Sequence, residues 1–193
     1  MRIYQRCKFI TGGLILLVGI SQICTADVDV DIQANIINNT CQVTVENNGN
    51  IHLPIVTLSY FNTPSAGLSP TDDTGGKSFK IRVTDCNHAD ADNLHFRFSP
   101  RSGIFPPGSR QVFINETQPA QGGAGNVGVV IFSDATHINV LNADGTSDVV
   151  YDVSAQSSSQ YLTDYLFYAR YQNTGTASAG LVTSNVLVDV TYD

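Results

Sequence analysis

The stretch Asp27-Val28-Asp29-Val30-Asp31-Ile32-Gln33-Ala34-Asn35-Ile36 alternates polar and apolar residues over ten positions without a break. That is the period of a β-strand with one face buried. Cys41, the expected start of a stapled domain, follows only five residues after Ile36, and no turn signal folds the strand back. So regular a strand, next to a domain that leaves it no partner in sequence, reads as made for insertion into another molecule. It points toward assembly rather than catalysis.

Residues 1–26 have the pattern of an export signal that is removed before folding. Arg2, Arg6 and Lys8 form a basic start, and Phe9 to Ile23 supply an apolar stretch interrupted by Gly12, Gly13 and Gly19. Cys24-Thr25-Ala26 is a small-x-small cleavage site, so the mature chain is expected to begin at Asp27. The apolar stretch is short for a membrane anchor and lacks a stop-transfer flank. Ile23, before Cys24, is bulkier than a lipid-attachment signal wants. Cleavage leaves 167 residues, enough for one domain with a real core. It also leaves seven basic residues against seventeen acidic ones, a net charge near −10. An acidic surface without a Lys/Arg cluster argues against nucleic acid and against insertion into or binding of anionic membrane. Only Cys41 and Cys86 remain, and in an exported chain two cysteines most simply form one disulfide.

No window carries an apolar period of 3.6 residues. Short alternating runs are separated instead by Gly, Asn, Asp, Pro and Ser, which predicts strands near 28–37, 41–45, 51–61, 78–85, 93–98, 110–114, 126–132, 137–141, 148–153, 161–172 and 181–192. Asn142-Ala143-Asp144-Gly145 reads as a hairpin turn with glycine where φ must be positive. Thr63 to Gly76 and Ser99 to Gly108 read as loops. So many short strands in one domain predict an all-β chain, a β-sandwich that is immunoglobulin-like by size.

The final strand is the second unusual element. Val182, Ser184, Val186, Val188, Val190 and Tyr192 share one face, and the strand runs to the last residue with no strand after it. A sandwich that ends on a core strand is expected to lack an edge partner, leaving exposed core and unpaired backbone groups. A spare strand at one end thus matches a gap at the other.

These features together resemble the subunits of bacterial chaperone–usher pili, most of all their minor, adaptor-like subunits. The resemblance is carried by Val28 to Ile36, Cys41, and the strand Phe79-Lys80-Ile81-Arg82-Val83-Thr84-Asp85-Cys86. It continues through Asn126-Val127-Gly128-Val129-Val130-Ile131, the aromatic strand Leu166-Phe167-Tyr168-Ala169-Arg170-Tyr171, Gly180 and the penultimate Tyr192. It implies an incomplete immunoglobulin-like sandwich lacking its last strand, with residues 27–38 as a donor-strand extension and 39–193 as the pilin domain. A periplasmic chaperone would lend a strand to the groove, an outer-membrane usher would receive the subunit, and a neighbouring subunit's extension would replace the chaperone. By position, Val28, Val30, Ile32, Ala34 and Ile36 would be donor-strand residues. Gly180, Val186, Val188, Val190 and Tyr192 would belong to the acceptor groove and chaperone-docking strand. The family usually has glycine where this chain has Ala34, so its neighbour's groove is expected to be slightly roomier.

Catalytic and ligand-binding readings are weaker. Asp27, Asp29 and Asp31 lie on one strand face, roughly 7 Å apart, which is also the solvated face of an amphipathic strand. Asp72-Asp73 and Asp144-Gly145 lack the regular ligand spacing of a calcium loop. His52, His88, His95 and His137 are scattered without metal-ligand spacing, and His95 falls on the polar phase of its strand, facing outward. No Gly-x-Ser-x-Gly elbow exists, and Gly122-Gly123-Ala124-Gly125 lacks the lysine of a phosphate loop. Alternation assigns Tyr165, Phe167, Ala169 and Tyr171 to the core rather than to a sugar platform. The expectation is a non-enzymatic pilus subunit needing no cofactor, exported through the periplasm to the cell surface. The alternatives are a single-domain receptor-binding adhesin subunit that contacts a host receptor, or a major shaft or terminator subunit.

Overall fold

Alternation becomes structure most directly in the strand from Lys77 to Cys86, where Phe79, Ile81 and Val83 are buried and the residues between them face solvent. The computed structural model describes residues 40–61, 69–87 and 91–193. The expected signal segment 1–26 and the extension bearing Val28, Val30, Ile32, Ala34 and Ile36 lie outside the described residues, as does His88. Eight strands are described: β1 (Cys41–Val45), β2 (Lys77–Cys86), β3 (Asn93–Pro100), β4 (Phe113–Ile114), β5 (Val127–Ser133), β6 (Val149–Asp152), β7 (Asp164–Asn173) and β8 (Val186–Tyr192). A one-turn helix, α1 (Ser158–Tyr161), precedes β7. It carries a capping box in which Ser157 and Gln160 satisfy each other's backbone amides.

The strands form two antiparallel sheets, ordered β1-β2-β7-β5-β4 and β6-β3-β8. This is the all-β, immunoglobulin-like architecture. Between the sheets, Phe79 and Ile81 of β2, Leu94, Phe96 and Phe98 of β3, and Phe167 of β7 form the core. Phe96 centres an aromatic group, with the rings of Tyr165, Tyr151 and Phe167 at 4.8, 5.3 and 5.5 Å. Such pairs add about 1 kcal/mol each beyond the area they bury. Cys41 and Cys86 face each other across β1 and β2 and are joined by a disulfide. Closing that 45-residue separation stabilises the fold by about 4 kcal/mol in the chain-entropy account.

The large sheet is buried on its second face too. Val112, Val130, Phe132 and Tyr168 make a separate apolar cluster there. The Arg170 guanidinium is buried beside it, 5.4 Å from the centre of the Phe132 ring. It donates to the carbonyls of Ser69 at 3.0 Å and Asp72 at 2.7 Å, and so ties the 69–72 segment over the sheet. Burial pushes the Arg170 pKa down, and nearby Tyr60 and Asp72 oppose that shift.

Several strand boundaries differ from the sequence reading. Residues 51–61 form no strand: Ile51 and Leu53 are half-buried, Ile55 is fully exposed, and Leu58–Phe61 is a 3-10 turn. Pro54 offers no amide for a ladder there. Residues 137–141 form no regular strand: they meet the end of β5 through a bridge from Asn139 to Phe132 and bonds from Val140 N to Ile131 O, Ser133 N to Ile138 O and His137 N to Ser133 O. His137, at φ 56°, breaks the extended path. The 110–114 strand shrinks to Phe113–Ile114, and the last strand begins at Val186 rather than 181. The turn at 142–145 is present, with Gly145 at φ 85° and the Asp144 carboxylate accepting from Thr146 N and Oγ1.

Candidate functional site: the groove along the last strand

β8 pairs with β3 over its whole length, from Val186 opposite Pro100 to Tyr192 opposite Leu94. Its other edge faces β1. A bridge from Thr40 to Thr191 closes one end of that edge, beside the Cys41–Cys86 disulfide. Among the described residues, no strand pairs with this edge along residues 186–190. Those backbone groups form a template for another strand.

A cavity of about 470 Å³ opens along this edge. Val45, Ile51 and Leu53 line its β1 side, Phe79, Ile131 and Ala169 its floor, and Phe98, Val186 and Val188 its β8 side. Aliphatic and aromatic side chains thus share the lining with the polar Asn50, His52, Thr183, Ser184 and Asn185. The walls offer apolar side chains a place to pack and include no Asp, Glu, Lys or Arg. An acceptor for alternating side chains needs these two parts together, a free backbone edge and apolar pockets beside it.

The structure distributes the acceptor residues named from the sequence unevenly. Val186 and Val188 line the cavity. Val190 and Tyr192 are buried in the core at the closed end. Gly180 does not line the cavity: it sits at φ 156°, where a Cβ would come 2.3 Å from the Gly123 carbonyl carbon. Its role is close backbone approach to the Gly123–Ala124 turn, which Leu181 bridges.

The segment leading into β8 is hydrogen-bonded by a residue that sequence reasoning missed. Asn115 donates to Ala124 O and Leu181 O, and accepts from Thr117 N and Thr183 N. Nothing in the local pattern separates it from an ordinary turn asparagine.

On the outer face of the small sheet, the His95 ring lies between two carboxylates. Nδ1 is 3.0 Å from Asp148 and Nε2 is 3.3 Å from Asp193, while Arg97 also reaches Asp148 at 3.2 Å. Hydrogen bonding from Asn93, then His95, holds the Asp193 carboxyl below its ordinary value. Among the described residues, no group of His, Cys, Asp or Glu converges as a metal site, and no helix is long and apolar enough to cross a membrane.

Comparison with known proteins identifies the same architecture. A family model described as fimbrial protein matches residues 30–193. The fimbrial-like protein YadK of Escherichia coli strain K12 is 40% identical over 176 residues, 86% of this chain and 85% of that one. The F17 fimbrial protein of Escherichia coli is 28% identical over 97% of this chain and 99% of its own length. The minor fimbrial subunit HifD of Haemophilus influenzae is 27% identical over 85% of this chain and 73% of that one. Among solved structures, the CupB6 tip adhesin from Pseudomonas aeruginosa superposes on 79% of this chain with a TM-score of 0.54 at 17% identity. The match spans 38% of the adhesin's chain, so it bears on the fold alone.

Proposed function

We propose that this chain, which belongs to the fimbrial protein family of chaperone–usher pilus subunits, joins its neighbours by donor-strand exchange as a minor, adaptor-like subunit supporting adhesion. One observation carries the reading: the β8 edge along residues 186–190 has no described partner and runs beside an apolar cavity. The occupant is an alternating strand. A periplasmic chaperone supplies it first, and the N-terminal extension of a neighbouring subunit replaces it after delivery to an outer-membrane usher. Backbone hydrogen bonds to β8 give length-wise affinity, and alternate apolar side chains entering between Val188, Phe98 and Ile131 give selectivity.

This chain's own extension, residues 27–38, performs the same act on the next subunit through Val28, Val30, Ile32, Ala34 and Ile36. Residues 1–26 direct export and are removed, and 39–193 form the acceptor domain. Similarity to a protein described as a minor fimbrial subunit supports the minor placement. The chemistry is strand exchange; no bond-making reaction is part of it.

The phase of the extension provides the test. Val30→Lys or Ile32→Lys leaves the subunit able to fold on its chaperone but blocks fibre growth, because an unpaired charge would enter an apolar pocket at a cost of several kcal/mol, roughly. Asp29→Asn or Asp31→Asn has little effect. Normal fibres from the lysine variants and failed fibres from the asparagine variants, viewed by electron microscopy, would reverse the assignment.

A further inference from the structure

The groove's entrance is made by residues 181–185, which belong to neither sheet in the usual sense. Val182, Thr183, Ser184 and Asn185 all line the cavity. Leu181 N donates to Gly122 O at 2.9 Å, and Leu181 O accepts from Ala124 N at 2.8 Å. Thr183 O accepts from Glu116 N at 2.7 Å, and Ser184 Oγ donates to Ile114 O at 2.8 Å. Beyond these contacts, Asn185 O accepts from Arg101 N at 2.9 Å, at the end of β3. Between Thr183 and Asn185 the chain therefore changes partners, from the side of the large sheet to the small one.

One side chain governs that change. Asn115 Nδ2 donates to Ala124 O at 3.0 Å and to Leu181 O at 2.9 Å. Its Oδ1 accepts from Thr117 N at 3.1 Å and from Thr183 N at 2.9 Å. A carboxamide offers two donor hydrogens and an acceptor with two lone pairs, so its whole capacity is engaged by the backbone of three separate segments. The bond to Thr183 N occupies an amide that could otherwise prolong a ladder or be left unpaired. A shift of one residue in this segment would turn Val182 from the cavity to the opposite side.

We propose that Asn115 is the positioning residue of the groove's entrance. It holds Leu181 and Thr183 against the large sheet, so that β8 enters beside the cavity with its outer edge free for an incoming strand. The inference rests on the reading of the groove as a strand acceptor, and it adds a residue that does not itself line the cavity.

The test uses the mature chain bound to its periplasmic chaperone and, as probe, a fluorescent peptide of residues 27–38 in excess. The readouts are retention of the peptide after washing and hydrogen exchange at the Thr183 amide. Val188→Lys tests the acceptor reading separately: if it retains the peptide as wild type does, that reading fails whatever Asn115 does. Where Val188→Lys abolishes retention, Asn115→Ala is expected to shorten peptide residence about tenfold, the loss of one to two backbone hydrogen bonds, and to speed exchange at Thr183. Asn115→Asp keeps the acceptor for Thr117 N and Thr183 N, so it holds the peptide longer than Asn115→Ala and serves if the alanine variant does not fold. Asn139→Ala removes comparable buried bonds, to Pro70 O and Gln111 O, and should lower the melting temperature without changing residence. Wild-type residence in the Asn115 variants, or an equal loss in Asn139→Ala, overturns the proposal.

Discussion

Along β8 the inward side chains divide into two pairs that ought to behave alike. Val190 and Tyr192 are 2% and 6% exposed, whereas Val186 and Val188 are half-buried on the cavity. Both pairs lie on one face of one strand, and both pair with β3 in unbroken register. The difference lies on the other side of the strand. At the C-terminal end Thr40 bridges Thr191, and the Cys41–Cys86 disulfide fixes β1 against β2 beside it. At the entering end no described strand stands opposite. An alternating pattern thus tells which side chains turn inward, and the lateral neighbour decides whether they reach the core or line a groove.

The largest expected contrast follows from that division. Tyr192→Ala empties a packed core site and should cost about 3–5 kcal/mol, whereas Val186→Ala at the groove should cost less than about 1 kcal/mol. Urea unfolding midpoints of the mature chain with its groove unfilled would show it, and equal losses would break the comparison. Deleting Thr191 to Asp193 should go further and abolish co-purification with the chaperone, because it removes the closed end entirely.

Cys41→Ser comes next, with a loss of about 2–4 kcal/mol. The effect should be local as well as global: amide exchange should rise at Thr191, next to the bridge, more than at Val186. Intact-mass analysis of the exported protein should find both thiols oxidised. Val188→Lys sits lower on the stability scale, since its side chain already borders the cavity, but it should prevent strand docking. Folding and docking are thereby separated at one position.

The sequence carried the inward faces of β2, β3, β7 and β8, because burial between two sheets enforces a period of two. Other parts were illegible for particular reasons. Residues 51–53 alternate because Ile51 and Leu53 face the groove, yet they pair with no described strand; facing was readable and pairing was not. In β7 the residues between the core positions, Tyr168, Arg170 and Gln172, are also buried. Arg170 captures the carbonyls of the 69–72 segment, about a hundred positions away in sequence, and Tyr168 packs with Val112, Val130 and Phe132. The close approach of Gly180 to the backbone of Gly123 and Ala124 joins segments far apart in sequence, so no local pattern shows it. The clamp at Asn115 depends on three backbone segments meeting at one amide, and no local pattern announces that.

The smallest expected effect concerns pH and sharpens the same contrast. The closed end carries Asp193, whose Oδ1 accepts from Asn93 at 3.0 Å and whose Oδ2 lies 3.3 Å from His95 Nε2. These partners lower its pKa from the ordinary aspartate value. A carboxyl with a lowered pKa in the folded state stabilises the fold above its unfolded pKa, near about 3.9. That contribution disappears as pH falls through the folded value. Acidification from about pH 5 to below about pH 3 should therefore weaken amide protection at Thr191 and Asp193. In Asp193→Asn the protection there should be lower at pH 5 and should change little on acidification. The side chain is exposed, so solvent screening keeps the change small. Hydrogen exchange followed across this pH range would show it, and an identical acid response in Asp193→Asn would remove Asp193 from the closing of that end.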